Sequence, residues 1–147
     1  MRSLGLDIGG RRIGVAISDP LGISASPLEV LRDHDPAAMR DYLARKAGEG
    51  VDVVVVGLPL TPRGREGEQA RQTRAFVKAV GDLEGLRVVL WDERLSTVEA
   101  ERRLREAGRA LKGRKVDAEA AAIILQSYLE YRRRGGAADE RREREDG

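Results

Sequence analysis

The chain has 147 residues, enough for one domain that buries a core without disulfides or a structural metal. It contains no cysteine, which excludes disulfides and thiolate metal sites, and no apolar run approaches the length of a membrane span. The N-terminus also lacks the pattern of a secretory leader, so the sequence predicts a soluble, cytoplasmic protein without a membrane anchor.

Charge is dense but nearly balanced. Charged residues make up 35% of the chain, and 27 basic against 25 acidic residues leave a net charge of +2. Of the basic residues 23 are arginine, whose planar donor fork suits phosphate, although arginine also follows genome composition. Residues 135–147 hold five acids and three arginines, so residues 1–134 have 24 basic and 20 acidic residues, a charge of +4. This weak basic excess is compatible with a nucleic-acid partner.

The first part of the chain predicts a three-stranded antiparallel meander. Residues 4–8 and 13–18 are two β-prone runs joined by a turn of glycine and arginine, and residues 24–31 form the third. Pro27 lies within the third strand and favours an edge position or a bulge, because proline donates no backbone hydrogen bond.

Helices and strands alternate after the meander. Helices are predicted over residues 36–48, 68–80 and 96–107 and from Asp117 onward, with strands over residues 51–57 and 86–91. The run of valines in residues 51–57 is typical of a central parallel strand buried on both faces. This order predicts an α/β fold with a five-stranded mixed sheet, three antiparallel strands followed by two parallel ones, flanked by helices.

Two of the segments without a predicted helix or strand have a distinctive composition. Residues 58–67 follow the valine strand and are rich in glycine and proline, which permits a partly mobile lid. Residues 135–147 have no apolar side chain larger than alanine, so we expect a disordered, charged tail after a single domain of residues 1–134.

Asp7 is the most unusual residue of the first strand. It stands among Leu4, Leu6 and Ile8, and a glycine-rich turn follows it at once. An ionised carboxylate among apolar neighbours costs several kcal/mol unless a cation or hydrogen bonds compensate it. Asp7 therefore predicts a site that holds a metal ion or binds phosphate.

Further acidic residues stand at the ends of elements, where sites assemble in α/β sheets. Asp92 and Glu93 end the last strand, and Asp117 opens the last helix. Since strand side chains alternate between faces, only one of Asp92 and Glu93 should join Asp7, and periodicity does not say which. The alternatives are a strand terminus paired with Arg94, and a helix N-cap at Asp117.

Clustered carboxylates suit Mg²⁺ or Mn²⁺, and two such ions roughly 4 Å apart can hydrolyse a phosphodiester. Basic residues flank the same acids, as expected for a polyanionic substrate, although a charge run is also commonly a solvated surface. The candidate phosphate ligands are Arg11, Arg12, Arg94, Lys112 and Lys115. Arg114, before Asp117, and Arg63 and Arg65, in the loop after the valine strand, are further basic residues near these acids.

Four blocks of the sequence resemble the pre-16S rRNA nuclease family, also called Holliday-junction-resolvase-like proteins. They are Asp7-Ile-Gly-Gly-Arg-Arg-Ile-Gly-Val-Ala-Ile-Ser-Asp, Val56-Gly-Leu-Pro-Leu, Asp92-Glu-Arg-Leu-Ser-Thr and Lys115-Val-Asp-Ala-Glu-Ala-Ala-Ala-Ile-Ile-Leu, within residues 3–131. The resemblance implies a ribonuclease H-like fold with a Mg²⁺- or Mn²⁺-dependent nuclease site, whose catalytic metal ligands are Asp7, Glu93 and Asp117. Gly10 departs from the threonine that many members have there.

The same resemblance implies an endonuclease, a monomer or homodimer, that matures the 5′ end of pre-16S rRNA in ribosome biogenesis. One alternative is a Holliday junction resolvase acting on branched DNA, which requires a twofold dimer to cut both strands. Another is a non-catalytic RNA-binding assembly factor. A phosphotransferase of the actin and sugar-kinase type also opens with an Asp-x-Gly hairpin, but it needs two such domains, and 147 residues supply one.

Overall fold

The computed structural model describes residues 2–32, 35–95 and 116–135, with the backbone alone for Val116 and Asp117. The predicted helix over residues 96–107, both predicted lysines (Lys112 and Lys115) and the tail beyond Gly135 lie outside the described residues. Within these ranges, no helix combines the length and the apolar character needed to cross a membrane.

Five strands form one mixed sheet in the order β3-β2-β1-β4-β5. β1 pairs antiparallel with β2 and β2 with β3, whereas β4 is parallel to both β1 and β5. The predicted mixed sheet is confirmed, and the valine strand is central as expected. The strands are β1 (Arg2–Ile8), β2 (Ile13–Ser18), β3 (Ala25–Leu31), β4 (Val51–Leu58) and β5 (Arg87–Asp92).

Pro27 has the place in the sheet that its chemistry requires. β3 is an edge strand, and its register with β2 shifts between Val15, which faces Glu29, and Ala16, which faces Pro27. Both predicted consequences of the proline, an edge position and a bulge, are therefore present.

Helices cover both faces of the sheet. α1 (Pro36–Gly48) and α2 (Glu68–Val80) pack on one face, and α3 (Val116–Arg133) packs on the other. A short 3₁₀ turn, Glu93–Leu95, follows β5 directly. α1 starts where local chemistry favours a start, because the Asp35 carboxylate accepts a hydrogen bond from the Ala37 N–H and Pro36 occupies the first turn.

Alternation along the strands gives each face of the sheet its own core. Leu4, Leu6, Val54 and Val56 pack beneath α1 and α2. The apolar face of α3 packs on the other side, where Ala121, Leu125, Tyr128 and Leu129 are buried against Val53, Val55, Val89 and Trp91.

Glycine allows α3 to approach the sheet closely. A Cβ added at Gly5 would lie 2.9 Å from both the Ala121 carbonyl oxygen and Leu125 Cβ, and one at Gly57 would lie 2.5 Å from Ile124 Cδ1. Distances this short are incompatible with a larger residue unless the helix moves. Because Gly5 faces α3, alternation places Asp7, two positions along β1, on the same face of the sheet.

Candidate active site

Asp7 and Glu93 converge from either side of β4. β1 and β5 both run parallel to β4, so their carboxyl ends meet at one edge of the sheet. Gly57 lies between them near the end of β4, and a Cβ added there would be 3.1 Å from Glu93 Cγ. The missing side chain leaves the space that the Glu93 side chain occupies on the face covered by α3.

The electrostatics of Glu93 reflect this convergence. Both Asp7 and Glu93 are partly buried. Burial raises the pKa of Glu93 above its ordinary value, and the negative charges of Asp7 and then of Asp92 raise it further. Because Asp7 opposes the ionisation of Glu93, a cation bound between the two side chains would stabilise their ionised forms.

Asp92 is neutralised by a different partner. Its carboxylate accepts hydrogen bonds from the Arg94 backbone N–H at 2.9 Å and from Arg94 Nη2 at 2.7 Å. Burial by itself would raise the pKa of Asp92. The hydrogen bonds and the positive charge of Arg94 outweigh this effect, so the pKa of Asp92 is lowered. Of the two acids between which periodicity could not choose, Glu93 is therefore the neighbour of Asp7, and Asp92 is the strand terminus paired with Arg94.

The third predicted ligand is described only by its backbone. Asp117 lies in the first turn of α3, the helix that covers the face of the sheet carrying Asp7. Among the side chains that the structure describes, no three acidic or histidine groups come together as a metal site. The described part of the predicted triad is thus the pair Asp7 and Glu93, and the ligand role of all three residues stays a prediction.

A hydrogen-bonded chain through Ser127 holds the turn that carries Glu93. Trp91 Nε1 donates to Ser127 Oγ at 2.9 Å, and Ser127 Oγ donates to the Leu95 carbonyl at 3.1 Å. The indole also packs edge-on against Tyr128 and Tyr131. Since Trp91 and Leu95 stand on either side of Glu93, Ser127 constrains the backbone at both ends of this turn.

Sequence reasoning missed Ser127. One signal was present, because Ser127 lies at helical spacing on the same buried face as Ile124, Tyr128 and Tyr131. A buried hydroxyl on such a face needs hydrogen-bond partners, but the sequence does not show that they come from the turn after β5.

The predicted phosphate ligands are only partly described. Arg11 and Arg12 are exposed in the β1–β2 turn, which a hydrogen bond of 2.9 Å from Gly9 N to Arg12 O closes at the Asp7 end of the sheet. Arg94 is exposed but is held by Asp92. The two predicted lysines lie outside the described residues, so they remain predictions.

Comparison with known proteins points to one family. Residues 1–131 match the family model described as "RuvX: Holliday junction resolvase". A relative from Anaeromyxobacter sp. named "Putative pre-16S rRNA nuclease" is 50% identical over 136 residues, covering 90% of this chain and 98% of the relative. A relative of the same name from Symbiobacterium thermophilum is 47% identical over 138 residues, covering 90% and 94%.

Solved structures show the same fold at low sequence identity. RuvC from T. thermophilus in complex with a Holliday junction substrate aligns with a TM-score of 0.64 and 17% identity, covering 92% of this chain and 97% of RuvC. The fowlpox virus resolvase in complex with Holliday junction DNA aligns with a TM-score of 0.51 and 17% identity, covering 88% and 97%. The predicted ribonuclease H-like fold is confirmed.

We expect Glu93→Gln to raise the Tm of the metal-free protein at neutral pH. Because the pKa of Glu93 is raised in the folded state, the wild type loses stability as pH rises from the ordinary glutamate pKa towards the raised value. The neutral amide removes that loss, and the difference in Tm should disappear below this pH range. Calorimetry in EDTA measures it, with the exposed Glu84→Gln as control; a lower Tm for Glu93→Gln at neutral pH would contradict the close carboxylate pair.

Ser127→Ala should lower the free energy of unfolding by about 1–3 kcal/mol, because it leaves the buried indole N–H of Trp91 without its acceptor. Urea denaturation followed by the fluorescence of Trp91, the single tryptophan, measures the change. Ser26→Ala removes an exposed hydroxyl from β3 and should stay within about 0.5 kcal/mol of wild type. Equal stability of the two variants would show that the Ser127 bridge does not hold the turn.

Proposed function

The chain belongs to the RuvX family, and we propose that it is a divalent-metal-dependent endonuclease that cleaves precursor 16S rRNA in maturing its 5′ end. The observation that carries the proposal is the convergence of Asp7 and Glu93 across Gly57. Two carboxylates that repel each other at the carboxyl ends of parallel strands form a site that a bound cation would stabilise.

The donor set fits Mg²⁺ or Mn²⁺. Both described candidate ligands are carboxylates, the chain contains no cysteine, and hard oxygen ligands are the ones that these ions prefer. Asp7 and Glu93 would hold the metal, with Asp117 as the third ligand. When bound, the metal would supply an activated water and stabilisation of the leaving oxygen in an in-line displacement.

The protein's own residues would prepare the site around that chemistry. Ser127 holds the turn of Glu93 from the side of α3, while Arg94 neutralises Asp92 and so leaves Glu93 as the carboxylate facing Asp7. Arg11 and Arg12 lie at the Asp7 end of the sheet, where they would contact substrate phosphates, and Lys112 and Lys115 are proposed to do the same.

The choice of RNA rests on the relatives. Proteins 50% and 47% identical over nearly their whole length are named for pre-16S rRNA. We therefore propose a role in ribosome biogenesis, and we expect a cytoplasmic monomer or homodimer.

The family description favours a second candidate, a resolvase of branched DNA, because the RuvX model is described as a Holliday junction resolvase. Symmetric cleavage of a junction needs two sites related by a twofold axis, so a resolvase has to form a dimer. Light scattering on the purified protein tests the resolvase, since a stable monomer that cleaves RNA would argue against it.

Asp7→Asn should reduce cleavage of a precursor 16S rRNA 5′ fragment by about a thousandfold, because a bound metal contributes several kcal/mol to transition-state stabilisation. EDTA should abolish wild-type cleavage, and Mn²⁺ should restore it. Asp52→Asn, which removes an exposed carboxylate at the start of β4, is the matched control and should cleave normally. A four-way DNA junction tested in parallel identifies the preferred substrate.

Cleavage at the wild-type rate by Asp7→Asn at ordinary Mg²⁺ concentrations would refute the catalytic proposal. The non-catalytic RNA-binding assembly factor would then be the better account of the chain.

A further inference from the structure

The segment between β4 and α2 forms a tight hairpin, Leu60–Glu66, called here the β4–α2 hairpin. Leu60 and Glu66 form an antiparallel bridge. Thr61 N donates to Arg65 O at 2.9 Å, and Gly64 N donates to Thr61 O at 2.8 Å. Gly64 has φ +81°, a left-handed conformation that glycine adopts without strain, so the turn has a defined shape.

Arg94 packs directly against the tip of this hairpin. A Cβ added at Gly64 would lie 3.1 Å from Arg94 Nη1 and 3.2 Å from Nη2. The guanidinium is held in turn by Asp92, at 2.7 Å. Because Asp92 and Arg94 flank Glu93 in the sequence, this contact places the hairpin tip beside the turn that carries Glu93.

The base of the hairpin, at Glu66, is attached to α2. The Glu66 carboxylate forms an ion pair with Arg74 at 2.7 Å, and Arg71 Nη1 donates to the Glu66 carbonyl at 3.5 Å. The hairpin is thus anchored at its tip and at its base, and its backbone direction is set before any ligand arrives.

Two cations project from this anchored hairpin. The side chains of Arg63 and Arg65 are exposed, and neither forms an ion pair or a hydrogen bond with any side chain or carbonyl that the structure describes. The arginines on the neighbouring elements differ in this respect, because Arg71, Arg74 and Arg94 are each paired with an acid.

We propose that the β4–α2 hairpin is a preorganised phosphate-binding element, in which Arg63 and Arg65 contact the sugar–phosphate backbone of the strand being cut. Arg94 is then a positioning residue for this hairpin, rather than the direct phosphate ligand that the sequence predicts. A guanidinium binds phosphate through two parallel hydrogen bonds, and presenting it on an ordered turn lowers the entropy cost of binding. This inference rests on the proposed function, because it assumes a nucleic-acid substrate at the Asp7–Glu93 pair.

The first test removes the two cations. Binding of a labelled precursor 16S rRNA 5′ fragment is measured by fluorescence anisotropy in EDTA over a range of salt concentrations, since contacts made by arginine need no metal. Arg63→Ala/Arg65→Ala should bind about tenfold more weakly at low salt. Its slope of log affinity against log salt should be shallower by about 1.4, or about 0.7 for each lost contact to single-stranded RNA.

The matched control removes two exposed cations elsewhere, one from α2 and one from the end of α3. Lys78→Ala/Arg133→Ala should keep the wild-type affinity and salt slope. Wild-type binding by Arg63→Ala/Arg65→Ala, an equal loss in the control, or a wild type that binds no RNA in EDTA would each overturn the hairpin as a binding element.

The second test displaces the hairpin and keeps both arginines. Gly64→Ala adds a methyl group in a left-handed conformation and 3.1–3.2 Å from the Arg94 guanidinium nitrogens, so the tip and the guanidinium have to separate. We expect RNA affinity to fall at least threefold and KM to rise while kcat is retained. Gly22→Ala imposes the same backbone strain at φ +71° with no atom within 4 Å, and it should lower only the Tm. Identical RNA binding by these two variants would overturn the positioning role of Arg94.

These experiments distinguish a failure of the hairpin proposal from a failure of the proposed nuclease function. If Asp7→Asn stops cleavage but the double arginine variant binds as wild type does, the hairpin is wrong and the nuclease stands. If Asp7→Asn cleaves normally while the double variant loses affinity, the nuclease is wrong and the hairpin still binds nucleic acid. A loss of similar size on a four-way DNA junction is expected for a backbone contact, whereas a loss confined to one RNA sequence would overturn it.

Discussion

The carboxylates of Asp7 and Glu93 repel each other, and the fold nevertheless holds them together. The sheet order places β4 between the two strands that lead to these acids, and Gly57 provides the space in which the Glu93 side chain lies. Buried contacts of α3 with the sheet supply the free energy that offsets the repulsion. The structure around the site thus keeps Asp7 close enough to oppose the ionisation of Glu93, and a bound cation would relieve this repulsion.

The neighbouring charges separate metal binding from substrate binding. Arg94 neutralises Asp92, so the acid next to Glu93 does not compete for the same cation. The same guanidinium lies against Gly64 and thereby connects the turn that carries Glu93 to the β4–α2 hairpin. The Asp92–Arg94 ion pair thus has two proposed roles: it keeps Asp92 apart from Glu93, and it orients the β4–α2 hairpin. These roles explain why an arginine directly follows Glu93.

Local chemistry made much of the fold predictable. The lack of a backbone donor at Pro27 predicted an edge strand or a bulge, and both are present. The continuous valines of β4 predicted a central strand. Periodicity could not choose Glu93 over Asp92, because the chain leaves β5 in a 3₁₀ turn and strand alternation ends there; only the family resemblance named Glu93. Ser127 was missed for a similar reason, since its partners Trp91 and Leu95 lie 36 and 32 residues away along the chain.

We propose above that Asp7 and Glu93 hold a divalent cation. A crystal structure of the protein with Mn²⁺, with anomalous diffraction recorded near the manganese edge, tests it most directly. We expect an anomalous peak between the two carboxylates, with oxygens of Asp7, Glu93 and Asp117 at about 2.1–2.2 Å, close to the short metal–oxygen distances of small divalent ions. Fully occupied Mn²⁺ elsewhere on the protein, with none between Asp7 and Glu93, would contradict it.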